Sequence, residues 1–316
     1  MKMVRSGHRL FGKPGSLKRG QITFVWAVFI PIVFLFLAIR VFPIISNLSL
    51  SLTNAHLIRP VTKFVGLRNF LILFSDKQFL RAFFNSLEFV AIAVPGEIVL
   101  SLIFALLLSR KVRGKNIRGE GFFKTLYFIP YILPMVPAII IWRFFFSPGD
   151  FGLANYLLSS LGIPKVSWMS NSRILLLTII GIHIWKNLGF YLVVFLVALK
   201  AVPRDIIDAA RIDGARGLQI ITRIELPLIK PTLLFGIVLA TLIAWSAFTE
   251  VYTMCQGSDV SSGSEIQVLM LRMYQEVFTY SNTGKGSAIS MVIFIISVVF
   301  ILIEFRIFKE RKVQHT

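Results

Sequence analysis

Six stretches of this chain are each long and apolar enough to cross a lipid bilayer, and this restricts the fold more than any other property of the sequence. A spanning α-helix needs about 20 apolar residues to traverse about 30 Å of hydrocarbon. Residues 22–43, 84–108, 125–146, 174–199, 232–254 and 287–308 meet that length. Backbone polar groups in hydrocarbon must be satisfied within the protein, so apolar runs of this length can only be helices. The expected fold class is an all-α integral membrane protein with six transmembrane helices. Composition agrees: 56% of the 316 residues are hydrophobic, above the roughly 45–50% of soluble domains, a figure that also counts glycine. Pro31, Pro95, Pro130, Pro134 and Pro137 fall inside spans. The last three make the third span the expected kinked element.

The charges orient the spans. Segments 1–20, 109–124, 200–231 and 304–316 hold 22 of the 34 Lys and Arg residues, against nine in the alternating segments 44–83, 147–173 and 255–286. Basic residues accumulate on the cytoplasmic side, so both termini are expected to face the cytoplasm. The net charge of +19 is then an orientation signal. A nucleic-acid role is not expected, because no basic face with interleaved aromatics stands apart from these loops. No cleavable signal is expected either, since the basic start runs into an apolar stretch of spanning length with no small-residue cleavage site after it. Three sections follow: a basic cytoplasmic segment 1–20, a six-span domain 21–308 with a long polar loop at 200–231, and a cytoplasmic tail 309–316. The alternate loops, aromatic at 64–70 and 79–84 and helically patterned at 151–161, are expected to hold structure of their own.

The single cysteine, Cys255, excludes a disulfide within the chain. His8, His56, His183 and His315 are scattered, with no metal-binding spacing.

The polar loop is the most informative segment. Residues 208–227 read DAARIDGARGLQIITRIELP. Pro203 suits a helix start, and Asp205 and Asp208 complement the positive end of that helix. Asp213 and Gly214 supply a stop, because glycine takes positive φ at low cost. A second short helix is expected over 215–224, before Pro227 and Pro231. An interfacial amphipathic helix is the plain alternative.

At these residues the chain resembles the membrane-spanning permease subunits of binding-protein-dependent ABC importers. That family's signature is Glu-Ala-Ala, three residues, Gly, nine residues, Ile, one residue, Leu-Pro. Here it reads Asp208-Ala209-Ala210, Gly214, Ile224, Leu226-Pro227, every gap kept and Asp standing for Glu. Tyr131 to Pro134, Pro137-Ala138, Ile141 to Arg143 and Pro148 to Gly152 are similar to carbohydrate importers in particular. So are Trp185-Lys186, Gly189 to Tyr191 and Ala198 to Lys200. Gly286 to Ser290 and Phe305-Arg306 resemble the maltose-type first permease.

The resemblance implies a type I importer fold in a bacterial or archaeal cell membrane. It implies as partners a second permease, two ATP-binding cassette ATPase subunits and an extracytoplasmic solute-binding protein. It also implies that the elbow, with Asp208, Ala209, Ala210, Asp213, Gly214, Ile224, Leu226 and Pro227, docks onto an ATPase subunit. Asp208 could make a charge-assisted contact there, and the two alanines allow close approach.

The chain has no Gly-x4-Gly-Lys-Ser/Thr phosphate loop. ATP and Mg are therefore expected on the partner subunits, with no cofactor on this chain and no catalytic residue. Polar residues inside spans are costly and usually face a bundle interior or water. Candidates for the substrate path are Glu97, Arg143, Trp185, Lys186, Asn187, Tyr191, Trp245, Phe248 and Glu250, each equally open to a packing role. Arg143 and Glu250 lie near span ends and are expected to snorkel to the interface. The resemblance to carbohydrate importers implies as cargo a sugar or oligosaccharide, neutral or acidic, with a glycerol-phosphate compound as the alternative. A secondary transporter is disfavoured by the lack of an internal repeat, an intramembrane enzyme by the lack of His-Glu-x-x-His and Gly-x-Ser-x-Gly, and an ion channel by the lack of a filter-like loop.

Overall fold

A computed structural model describes residues 19–59, 62–109, 120–255 and 266–309. Much of segments 1–20, 109–124 and 304–316, on which the charge asymmetry rests, lies outside them. Among the described residues there are fifteen α-helical segments. In chain order they are α1 (Arg19–Phe36), α2 (Phe42–Ser51), α3 (Arg68–Ser75), α4 (Lys77–Ser109) and α5 (Glu120–Ile132). Next come α6 (Met135–Phe145), α7 (Leu153–Ser160), α8 (Ser172–Ala201), α9 (Arg204–Ile212) and α10 (Gly217–Ile220). The last are α11 (Leu226–Leu228), α12 (Lys230–Trp245), α13 (Thr249–Cys255), α14 (Leu269–Tyr274) and α15 (Thr283–Phe308). Five uninterrupted or nearly uninterrupted stretches can span: Ile22–Ser51, Lys77–Ser109, Ser172–Ala201, Lys230–Cys255 and Thr283–Phe308. The sixth consists of two pieces, Thr125–Ile132 and Met135–Phe145, bent by 105°. The chain is a multi-pass all-α membrane protein.

Two compact units are present, residues 1–49 and 50–316. The described residues of the first form the N-terminal apolar helix, and Phe24, Trp26, Phe29 and Phe34 along it are exposed, as a lipid solvent requires. Its helix does not stop at Pro43, where the sequence suggested an end. A proline ring collides with the carbonyl four residues back, which is Ile39 here. The helix opens into a π turn over Leu37–Val41 and then continues. A second π turn, Ile221–Glu225, precedes Pro227 in the same way. The wider turn carries the obstructing carbonyl aside, so each proline is accommodated instead of ending its helix.

The second unit is built on α4 and α8. Phe89, Ala93 and Ile98 on α4 and Ile179, Leu192 and Phe195 on α8 are buried in one core. Ser101 on α4 donates to the Leu188 carbonyl on α8 at 2.8 Å. Helix α5 approaches the other side of α8 at Gly189, where a Cβ would overlap the Tyr127 carbonyl oxygen. The start of α8 is capped by Asn171, which accepts from Arg173 N at 3.0 Å and Ile174 N at 3.1 Å, satisfying two of the free N–H groups of the first turn.

The break in the third span is sharper than the expected kink. Leu133 precedes Pro134, and the residue before a proline is pushed out of the helical region. Pro134 itself has ψ 142°, so α6 restarts in a new direction. The fifth span is interrupted over residues 246–248. The loops between spans that do not carry the elbow hold α3, α7 and α14, as the sequence suggested. Asn155 orders one of them: its Oδ1 accepts from Val166 N at 3.0 Å and Trp168 Nε1 at 2.9 Å, and its Nδ2 donates to Val166 O at 3.1 Å. Residue 55 accepts from Gly284 N at 2.9 Å, pinning a second loop to the start of α15.

Candidate functional site

The polar loop folds as a helix, a reversal and a second helix. Helix α9 begins after Pro203, with Asp205 in its first turn. Its end is a Schellman closure: Ala215 N donates to Ala210 O at 2.9 Å, and Gly214 N donates to Arg211 O at 3.1 Å. Gly214 has φ +84° and no atom within 4 Å of an added Cβ, so backbone conformation alone calls for glycine there. Helix α10 starts two residues later than expected, at Gly217, where Gln219 Oε1 accepts from Arg216 N at 2.7 Å. Through the π turn it runs on past Pro227 to Leu228.

Of the predicted elbow residues, Asp208, Ala209, Asp213, Gly214 and Pro227 are exposed, while Ala210, Ile224 and Leu226 are half-buried. Asp208 pairs with Arg211 Nη1 at 3.1 Å, both side chains exposed. A pair of this kind is weak, so Asp208 remains available to another cation. Sequence reasoning missed two residues. Ile212 and Leu218, either side of the reversal, are 87% and 72% exposed. Their signal was available, being apolar residues within an otherwise polar loop.

The midspan residues form a second group. His183, Lys186 and Asn187 occupy positions i, i+3 and i+4 of α8 and so share one face. His183 Nδ1 lies 2.6 Å from Glu250 Oε1 on α13. His183 Nε2 lies 3.2 Å from Glu97 Oε1 on α4, though not aligned for a hydrogen bond. Asn187 Nδ2 donates to the same Glu97 oxygen at 3.0 Å. Lys186 Nζ points at the open end of α5, donating to Leu133 O at 2.8 Å, Tyr131 O at 3.2 Å and Pro130 O at 3.4 Å. These carbonyls lose their helical partners at the break, and a cation suits the negative end of a helix.

Glu250 does not snorkel, contrary to the sequence expectation: it is 4% exposed. The helix stops at Trp245 and restarts at Thr249, which carries Glu250 into the bundle to meet His183. Arg143 reaches inward as well, donating to Thr253 O at 3.3 Å. Glu97, Lys186, Asn187 and Glu250 thus come together around His183. Trp185 instead packs edge-on against Trp142, ring centroids 5.2 Å apart, and Phe248 stacks on Tyr252 at 5.2 Å. Tyr191 and Trp245 are buried, and among the described residues their Oη and Nε1 atoms have no hydrogen-bond partner. Leaving such a group unpaired costs about 1–3 kcal/mol.

Residues 75–311 match the family described as binding-protein-dependent transport system inner membrane component. The chain is 33% identical over 254 residues to the osmoprotective compounds uptake permease protein GgtC of Synechocystis, covering 79% of this chain and 87% of that protein. It is 28% identical over 297 residues to the trehalose/maltose transport system permease protein MalF of Thermococcus litoralis, covering 94% and 97%. A crystal structure of a bacterial alginate ABC transporter, in complex with an alginate pentasaccharide-bound periplasmic protein, shares its fold. The TM-score is 0.78 at 21% identity, over 94% of this chain and 97% of that one.

Proposed function

This chain belongs to the inner membrane components of binding-protein-dependent transport systems, and from that membership we propose that it forms half of an ATP-driven import path for a sugar or oligosaccharide. It is a transport subunit with the type I importer permease fold, and not an enzyme. A second permease completes the path, two ATPase subunits bind and hydrolyse ATP with Mg, and an extracytoplasmic binding protein delivers the cargo. The complex sits in a bacterial or archaeal cell membrane. The loop at 200–231 and both termini lie in the cytoplasm, in keeping with the excess of Lys and Arg in those segments.

One observation carries the reading: the closed elbow at Gly214, presenting exposed Ile212 and Leu218 on either side of the reversal. Two apolar side chains on a rigid turn outside the spans are suited to a groove on another protein. Asp208, Ala209 and Ala210 on α9 then supply a carboxylate and close approach for the ATPase subunit, and Ile224, Leu226 and Pro227 carry the movement toward α12. At midspan, the exposed Trp185 and the half-buried Phe248 offer aromatic faces to a sugar, while Tyr191 and Trp245 lie sealed in the core. The relative named for trehalose/maltose transport favours a neutral polyhydroxylated cargo.

The test uses the complex reconstituted with its partner subunits. The binding protein loaded with neutral and uronate-containing oligosaccharides in turn should stimulate ATP hydrolysis with one class only. Ala210→Asp should abolish that stimulation while leaving the spans folded. Normal stimulation and transport in Ala210→Asp would remove the elbow from the coupling route.

A further inference from the structure

The two interrupted spans are braced to each other and tied to the bundle at one turn of α8. Beyond its break, the third span continues as α6, and the fifth continues as α13. These two segments pack together, and Arg143 on α6 donates to Thr253 O on α13 at 3.3 Å. Each is joined to its parent span by residues in non-helical conformation, Leu133–Pro134 in one case and 246–248 in the other. On the bundle side of both breaks stands the His183–Lys186–Asn187 turn. Lys186 donates to the Tyr131 carbonyl at the end of α5 and, at 2.8 Å, to the Leu133 carbonyl in the first break itself. His183 holds Glu250, two residues past the second, at 2.6 Å, and Glu97 on α4 closes the group from behind.

We propose that α6 and α13 move as one flap, hinged at residues 133–134 and 246–248, and that the His183–Glu250 contact is the latch holding it shut. This rests on the transport reading above and deepens it. Lys186 and Asn187 act as positioning residues: one fixes the end of α5 and the first residue of the hinge, the other fixes Glu97 beside the imidazole. A contact buried between a hinged segment and the stationary α8 is costly to break, because the Glu250 carboxyl is left without its partner in an apolar setting. The contact therefore favours the closed arrangement over the open one by its full strength, and the binding protein and ATP must supply the difference. The side chains holding α6 to α13 are distinct from those holding the pair to α8.

Two measurements on the reconstituted complex decide it. Glu250→Leu should raise ATP hydrolysis in the absence of binding protein by roughly tenfold, the scale on which loss of one charged contact shifts a two-state population. It should leave little further stimulation when the binding protein is added. Glu250→Gln keeps a hydrogen-bonding group and should fall between Leu and wild type. If hydrolysis without binding protein stays flat or falls in both variants, the latch is wrong. The second measurement is independent of how those variants fold. In a Cys255→Ala background, which removes the chain's only thiol, His183→Cys and Glu250→Cys are bridged by a short bis-methanethiosulfonate. Transport should stop on bridging and return on reduction, and unimpaired transport by the bridged protein overturns the proposal. A wild-type complex that the binding protein fails to stimulate at all would instead refute the transport reading itself.

Discussion

Replacing Gly214 with alanine isolates the elbow from the rest of the molecule. The residue sits at φ +84°, and an added methyl meets no atom within 4 Å, so the whole penalty is conformational. Holding a Cβ-bearing residue in the left-handed region costs about 1–2 kcal/mol. The reversal is closed by two hydrogen bonds, Ala215 N to Ala210 O and Gly214 N to Arg211 O, each worth about 0.5–1.5 kcal/mol net. The strain therefore offsets most of what keeps the turn formed, and the equilibrium constant for the closed turn falls by a factor of about 5–30. Asparagine tolerates the same region far better and is larger than alanine. The assay titrates ATPase subunit against permease in proteoliposomes and reads half-maximal stimulated hydrolysis. Gly214→Ala should need about tenfold more ATPase subunit, Gly214→Asn about twofold, and neither should change the thermal unfolding of the spans. If alanine matches glycine, or asparagine does no better than alanine, the left-handed closure is not what the partner requires.

Within α8, Gly189→Ala should lower the melting temperature in detergent sharply, because the methyl overlaps the backbone carbonyl of Tyr127 and backbone cannot move aside cheaply. Gly181→Ala on the same helix, with nothing within 4 Å, should melt like wild type or slightly higher. Lys186→Met removes the donor to three carbonyls at the end of α5 and should cost about 1–3 kcal/mol, read as a reduced melting temperature. Asn155→Ala loses three hydrogen bonds in the loop after α6 and should make residues 152–170 protease-sensitive, with the spans unaffected.

Much of the fold was legible in the sequence, because hydrocarbon leaves a long apolar segment no alternative to the helix. Five of the six expected spans are continuous or nearly so and the third is the bent pair, with ends displaced by up to eight residues. Pro43 misled by the usual rule for proline, since a π turn at Leu37–Val41 absorbs the ring and nothing local announces it. The three prolines of the third span indicated a distortion, but its 105° angle depends on what α6 packs against. The elbow was read nearly residue by residue, its geometry being set by local rules of capping and glycine. The midspan group was only half legible. Glu97, Lys186, Asn187 and Glu250 stood out as polar residues in apolar runs, whereas the pairing of His183 with Glu250, 67 positions away, is a property of the packed bundle. Glu250 was misjudged for the same reason: distance from a span end measures depth only when the helix is unbroken.

The divided third span also bears on how the polypeptide enters the membrane. Helices α5 and α6 are 13 and 11 residues long, and neither alone can bridge the hydrocarbon. The open end of α5 stays unsatisfied until Lys186 arrives, more than fifty residues later in synthesis. The insertion machinery must therefore retain this segment while α8 is still being made, and the two are released to lipid as a pair. A nascent chain arrested before residue 186 should remain cross-linkable to the translocon, and one extended beyond α8 should not.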